Sequence, residues 1–318
     1  MASFGYVPDV NFPIPYKTIE ETNIHLIEKP PQEHDALIAT LPLEPVYERP
    51  FSIGHPLRLY KRVWMGEKML RGTLVMQQCF KSRPTDIFLA SFPKSGTTWL
   101  KAMIFSQCAP FMEVEFATGR MMNTHLPYFL LPDSITESSC RIVYVWRDPK
   151  DVLVSMWYFV QKILGGPDKI VTFYQFYEFF CQGVDTFGPI WNHILEYWEE
   201  SRRRPEKILF LKYENILQEP VKYAKQLAHF IGCPFLEMEE NQRVVEQIAE
   251  LCSIKKLKDF NVNKDGDRVT SSMDVHISKG YFFRKCEAGD WKNHMTQEMV
   301  ERLDTLIKEK FKGSGLQI

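Results

Sequence analysis

The stretch from Phe88 to Leu100, FLASFPKSGTTWL, constrains the fold more than any other part of the chain. An apolar run from Ile87 to Phe92 has the length of a buried strand; Pro93 and Gly96 break it, and an amphipathic helix starts near Thr97. A strand that turns through small residues into a helix leaves main-chain N–H groups pointing out of the helix start. With the positive end of the helix dipole, they suit an anion. Lys94 sits in this turn beside Ser95, Thr97 and Thr98, and a cation there is unfavourable unless an anion accompanies it. The residues fit two readings equally: an anion site, or a βα turn whose hydroxyls cap the helix and whose lysine is solvated.

Two more apolar runs, RIVYVW (Arg141 to Trp146) and KILFLK (Lys207 to Lys212), read as buried strands. Asp148 as N-cap and Pro149 at the first helical position predict a helix to about Ile163. Further helices are predicted over 67–80, 173–181, 189–201, 220–231, 239–251 and 296–312, and a short strand within 56–64. The polar, Met-rich stretch 113–131 receives no element. Residues 255–285 are long, polar and weakly patterned, as a functional flap would be. Strands alternating with helices predict an α/β domain with a central parallel sheet covered on both faces. Residues 1–50 hold eight of the twenty prolines and read as an extended arm packed on the domain formed by 51–318.

Lys+Arg 39 against Asp+Glu 40 leaves a net charge of −1, which argues against non-specific nucleic-acid binding or a polybasic membrane surface. No apolar run approaches the roughly 20 residues of a membrane span. The seven cysteines are scattered and never form a CxxC pair, the usage of a reducing, cytoplasmic compartment. An anionic ligand must therefore meet a local cluster of positive charge. Strand ends would supply one, with Lys94 to Thr98 after the first strand and Arg147 after the second. A Walker A loop carries its lysine late and a hydroxyl after it for magnesium. Here the lysine comes first, no GK[ST] occurs, and the second strand ends in Arg147 where a magnesium site wants an acid. The pocket reads as positive and metal-free, which disfavours an ordinary kinase or NTPase.

Five ordered motifs resemble the cytosolic sulfotransferases, the plant branch above all: PKSGTTW (Pro93 to Trp99), THLP (Thr124 to Pro127), YVWRDPKDVLVS (Tyr144 to Ser155), LKYE (Leu211 to Glu214) and FFRKCEAGDWKNH (Phe282 to His294). The resemblance runs from about residue 50 onward. It implies one α/β domain with a P-loop-like nucleotide-binding architecture. The implied reaction moves the sulfuryl group of 3′-phosphoadenosine 5′-phosphosulfate (PAPS) to the hydroxyl of a small organic acceptor, with no metal. It also implies roles. Lys94, Ser95, Gly96, Thr97 and Thr98 would hold the 5′-phosphosulfate side, with Trp99 against the adenine. Arg147 and Ser155 would take the 3′-phosphate, joined by Arg284, Lys285 and the backbone near Cys286, and Tyr213 would reach the base. His125 would be the general base, since imidazole titrates near working pH. Lys94 would balance charge on the leaving phosphate, held in check by Ser155.

Three residues depart from the family pattern: Cys286 stands in place of a glycine, Ile254 in place of a phenylalanine, and Asn123 in place of the lysine common in animal relatives. Phe92, Tyr128, Trp157, Tyr158 and Phe159 could line an apolar acceptor pocket, or simply pack a core. The run Lys292 to Glu301 matches the animal dimer motif only in part, with Gln297 in place of valine, so a monomer is expected. The competing reading is a catalytically weak nucleotide-binding or interaction protein that keeps the fold.

Overall fold

The computed structural model describes residues 32–44, 56–108, 120–164, 172–259, 267–270, 275–282, 284–285 and 287–317. Helix α1 (Gln32–Thr40) is the described part of the expected arm, and Leu43 next to it bridges to Arg58. A hairpin follows where one strand was predicted, β1 (Leu57–Tyr60) and β2 (Val63–Gly66). Lys61 and Arg62 turn it with φ of 46° and 73°, the left-handed pair of a two-residue hairpin loop. Helix α2 (Glu67–Cys79) then leads to the main sheet.

That sheet has four parallel strands in the order β4-β3-β5-β6: β3 (Ile87–Ser91), β4 (Met121–Thr124), β5 (Arg141–Trp146) and β6 (Ile208–Lys212). Alternation along the strands sorts side chains to two apolar layers. Phe88, Ala90, Ile142, Tyr144 and Trp146 face one layer; Leu89, Val143, Val145 and Leu211 face the other. Helix α3 (Thr97–Cys108) covers the second layer with Leu100, Met103 and Ile104. The short α4 (Asp133–Thr136) precedes β5. Helices α5 (Pro149–Leu164), α6 (Phe173–Cys181) and α7 (Ile190–Arg203) pack on the first layer through Leu153, Phe176 and Ile194. Asp148 caps α5 as predicted, its Oδ1 accepting the main-chain N–H of Lys150 at 2.9 Å.

Beyond β6 come α8 (Tyr213–Gln218) and α9 (Pro220–Ile231), the latter ended by Gly232 at φ 85°. The single helix predicted over 239–251 is two, α10 (Glu237–Asn241) and α11 (Val244–Leu251), broken at Arg243 with φ 57°. The described part of the flap holds α12 (Ile254–Asp259), a hairpin of β7 (Asp267–Thr270) and β8 (Val275–Ser278), and a 3-10 turn at Lys279–Phe282. Helix α13 (Gln297–Lys310), capped by Thr296, closes the chain and packs Leu303 and Ile307 into the first layer.

β4 lies in the stretch 113–131, for which no element is expected from sequence. MMNT is four residues long, has no β-branched residue before Thr124 and, among the described residues, pairs on one side only. Such a strand has almost no local signature.

Candidate active site

The four parallel strands end at one edge of the sheet, and each delivers a predicted residue there within three positions. Lys94 follows β3, His125 follows β4, Arg147 follows β5 and Tyr213 follows β6. Ligands of such sheets gather at this edge.

The loop after β3 is held in a shape few residues adopt: φ is 67° at Lys94 and 105° at Gly96. A Cβ on Gly96 would stand 2.6 Å from Cδ2 of Tyr213, so the glycine lets the tyrosine ring close on the loop. Trp99 meets the same ring edge-on at 5.5 Å, and the Arg147 guanidinium lies 4.7 Å from its centroid. The Lys94 ammonium sits 4.1 Å from the ring centre of Phe159 and 5.3 Å from that of Phe282. Two aromatic faces of this kind stabilise a cation by roughly 1–2 kcal/mol when partly desolvated. Thr97 and Thr98 open α3, Thr98 exposed and Thr97 bonded through Oγ1 to Ser91 Oγ at 2.6 Å.

Arg147 joins the loop to the flap. Its guanidinium donates to the carbonyl of Glu287 at 2.8 Å and to that of Lys94 at 3.5 Å. Asp151, one turn along α5, faces Arg147 at 3.5 Å and accepts the main-chain N–H groups of Gly289 and Trp291 at 2.7 and 3.2 Å. Asp290 collects the flap cations, Arg284 and Lys285, with Asn293 and His294. Burial works to raise the pKa of Asp290, but the hydrogen bonds from Lys285, Asn293 and Arg284 outweigh it. They hold the carboxyl well below its usual range. Arg284 also stacks on Tyr158, 4.7 Å from the ring centroid. Ser155 is buried on the face of α5 that carries Asp151 and Phe159, one turn from each. Cys286 and the side chain of Ile254 lie outside the described residues.

Four buried polar atoms here have no hydrogen-bond partner among the described residues: Ser95 Oγ, Trp99 Nε1, Arg147 Nε and Arg284 Nε. Each costs about 1–3 kcal/mol to leave so. All four lie in the motifs of the phosphate loop, the second strand and the flap. Unpartnered donors beside the cations Arg147 and Arg284 suit an anionic ligand.

His125 is held at the opposite side of the loop. Its Nδ1 lies 2.8 Å from the carbonyl oxygen of Ser91. A carbonyl only accepts, so Nδ1 carries the hydrogen and Nε2 is the basic nitrogen. Asn123, two residues earlier, accepts from the Lys101 ammonium of α3 at 3.2 Å.

The aromatic supply divides differently from the expectation. Tyr158 and Phe159 serve Arg284 and Lys94, Phe92 is buried against His193, and Tyr128 Oη takes the Arg204 guanidinium. Phe187, which no sequence pattern singled out, is the ring beside His125, at 5.9 Å. Asp151 and Asp290 were also missed as site residues. Both sit inside the motifs given above, but an acid among basic residues reads from sequence as a surface charge.

Fold and site together define an α/β protein whose cations gather at the carboxyl edge of a parallel sheet, around a loop unlike a Walker A. A family model described as the sulfotransferase domain matches residues 84–315, and the chain belongs to that family. It is 37% identical to cytosolic sulfotransferase 17 of Arabidopsis thaliana, covering 93% of this chain and 95% of that one. It is 40% identical to flavonol 3-sulfotransferase of Flaveria bidentis, covering 81% and 91%. The crystal structure of mouse sulfotransferase SULT7A1 complexed with PAP matches with a TM-score of 0.66 at 29% identity, covering 81% and 95%. No described helix is long and apolar enough to cross a membrane.

Proposed function

We propose that this chain is a cytoplasmic, monomeric sulfotransferase that moves the sulfuryl group of PAPS to the hydroxyl of a small phenolic, steroidal or other specialised metabolite. Residues 51–318 form the catalytic domain, with 1–50 as an arm upon it. The observation that carries the reading is the Nδ1 bond of His125 to the Ser91 carbonyl at 2.8 Å. It leaves Nε2 as a base on the strand that adjoins the phosphate loop. The plant relatives named above, one of them a flavonol sulfotransferase, support a phenolic acceptor.

His125 takes the acceptor's hydroxyl proton on Nε2 as the acceptor oxygen bonds to sulfur. The bond from sulfur to the 5′-phosphate oxygen breaks, and its electron pair stays on that oxygen, where Lys94 and the N–H groups at the start of α3 stabilise the charge. His125 then returns the proton to water. Ser95 to Trp99 line the 5′ side and Tyr213 the base. Arg147, Ser155, Arg284, Lys285 and the Cys286 backbone hold the 3′-phosphate, for which guanidinium groups are suited.

The test is incubation with PAPS and a panel of hydroxylated metabolites, read by mass spectrometry as the gain of one sulfuryl group. His125→Ala should bind PAP and form no product. Intact PAP binding by the native chain with no product from any acceptor would favour the weak nucleotide-binding alternative instead.

A further inference from the structure

His125 leaves the edge of the sheet. Among the described residues β4 pairs with β3 alone, yet the carbonyls of residues 125 and 126 are part-buried and buried and need donors. Helix α7 supplies them from side chains. His193 Nε2 donates to the carbonyl of His125 at 3.0 Å, and Tyr197 Oη donates to that of Leu126 at 2.9 Å. The two residues are four apart, so both rise from one face of the helix.

Neither donor has freedom to wander. His193 and Tyr197 are fully buried. Tyr144 of β5 donates its hydroxyl to His193 Nδ1 at 2.9 Å, which leaves Nε2 as the protonated nitrogen facing His125. Tyr144 also stacks on Tyr197, with ring centres 4.1 Å apart and planes at 13°. Burial pulls His193 down to about 3, so this grip keeps one protonation state across working pH. Glu196, on the same face, lies against the next stretch of the segment. Burial lifts it to about 7, against the opposing pull of the main-chain N–H of Phe129 and the Arg62 charge.

We propose that His193 and Tyr197 are positioning residues for the sulfuryl-transfer base. Their bonds to consecutive carbonyls fix where the His125 imidazole stands relative to the phosphate loop. This rests on the reading of His125 as that base. The Ser91 bond orients the ring. The two α7 bonds anchor the backbone that carries it, and two separated anchors define a position. Misplacement of a catalytic group by about 1 Å costs on the order of a hundredfold in rate, which is what a buried Tyr144–His193–His125 chain protects against.

The experiment compares Tyr197→Phe, His193→Asn, His193→Gln and His125→Ala in the full chain. Turnover is counted per nucleotide site, using the stoichiometry and Kd of PAP from calorimetry, so that a smaller folded fraction does not pass for slower chemistry. Tyr197→Phe keeps the ring stack and removes only the donor. It and His193→Asn should lower kcat by about ten- to a hundredfold with PAP Kd within about twofold of the native value. His193→Gln, whose amide nitrogen reaches the place of Nε2, should recover most of the loss. Native turnover in Tyr197→Phe and His193→Asn would overturn the assignment. So would a parallel loss of PAP affinity, or a glutamine no better than asparagine. If His125→Ala itself turns over normally, the base reading fails instead. If His125→Ala is inactive while the α7 variants are native, only the positioning role is lost.

Discussion

The carboxylate of Asp290 lies 2.7 Å from the ammonium of Lys285, and its other oxygen holds Arg284. An acid thus stands at the centre of the cations proposed above for the 3′-phosphate. Geometry explains the arrangement. Asp290 takes a terminal nitrogen of Arg284, and Nε has no hydrogen-bond partner among the described residues. The acid lowers the net charge of the cluster but fixes where its donors point, and a preorganised donor loses less entropy on binding.

Asp290→Asn should therefore weaken PAP binding, although it removes a negative charge near an anion. Loss of hydrogen bonds to a charged partner, about 1.5–3 kcal/mol, corresponds to a Kd roughly ten- to a hundredfold higher by calorimetry. Tighter binding by the variant would show that Asp290 merely competes with the phosphate.

Stability should fall in mild acid through His193. Its folded pKa is depressed to about 3 by burial, below the unfolded value of about 6.5. Above pH about 6.5 neither state takes the proton and nothing is lost. Below it the unfolded chain binds a proton that the folded chain refuses. Stability then drops by up to about 1.4 kcal/mol per pH unit until the folded pKa is reached. Urea melts between pH 7 and 5 should show this slope in the native chain and a shallower one in His193→Gln. Equal slopes would count against the buried neutral imidazole.

Lys94→Met should cut kcat by roughly a hundred- to a thousandfold, the scale for removing one electrostatic contact to a developing anion. PAP binding should fall much less, because Arg147, Arg284 and Lys285 remain. Rapid-quench measurement of the transfer step is the check, and an unchanged rate would remove Lys94 from the chemistry.

Gly96→Ala should destabilise the chain by about 1–2 kcal/mol, since φ of 105° and a contact of 2.6 Å with Tyr213 both oppose a Cβ. The thermal midpoint should drop by a few degrees, with loss of PAP binding as the loop and ring separate. A native midpoint and Kd would mean that the loop relaxes without cost.

The parallel α/β sheet and the phosphate loop were legible because their signals are local. Apolar runs of five or six residues, a proline at the first turn of α5 and glycines past helix ends each act on near neighbours. Lys94, His125 and Arg147 were singled out through motifs, and the fold brings them to one edge of the sheet. What lay beyond pattern was the acid set, Asp151 and Asp290, and the edge strand β4, too short and too lightly branched to announce itself.

By itself, the sequence determined a strand–loop–helix ready for an anion, a second strand ending in arginine and a chain otherwise neutral in charge. Only the tertiary structure decided how these parts meet. Arg147 reaches a flap carbonyl 140 residues away, and His193 grips the His125 carbonyl across 68. Bonds of that span depend on which helices pack on which face of the sheet. Chain folding, not local propensity, therefore brought His125 to the side of the loop.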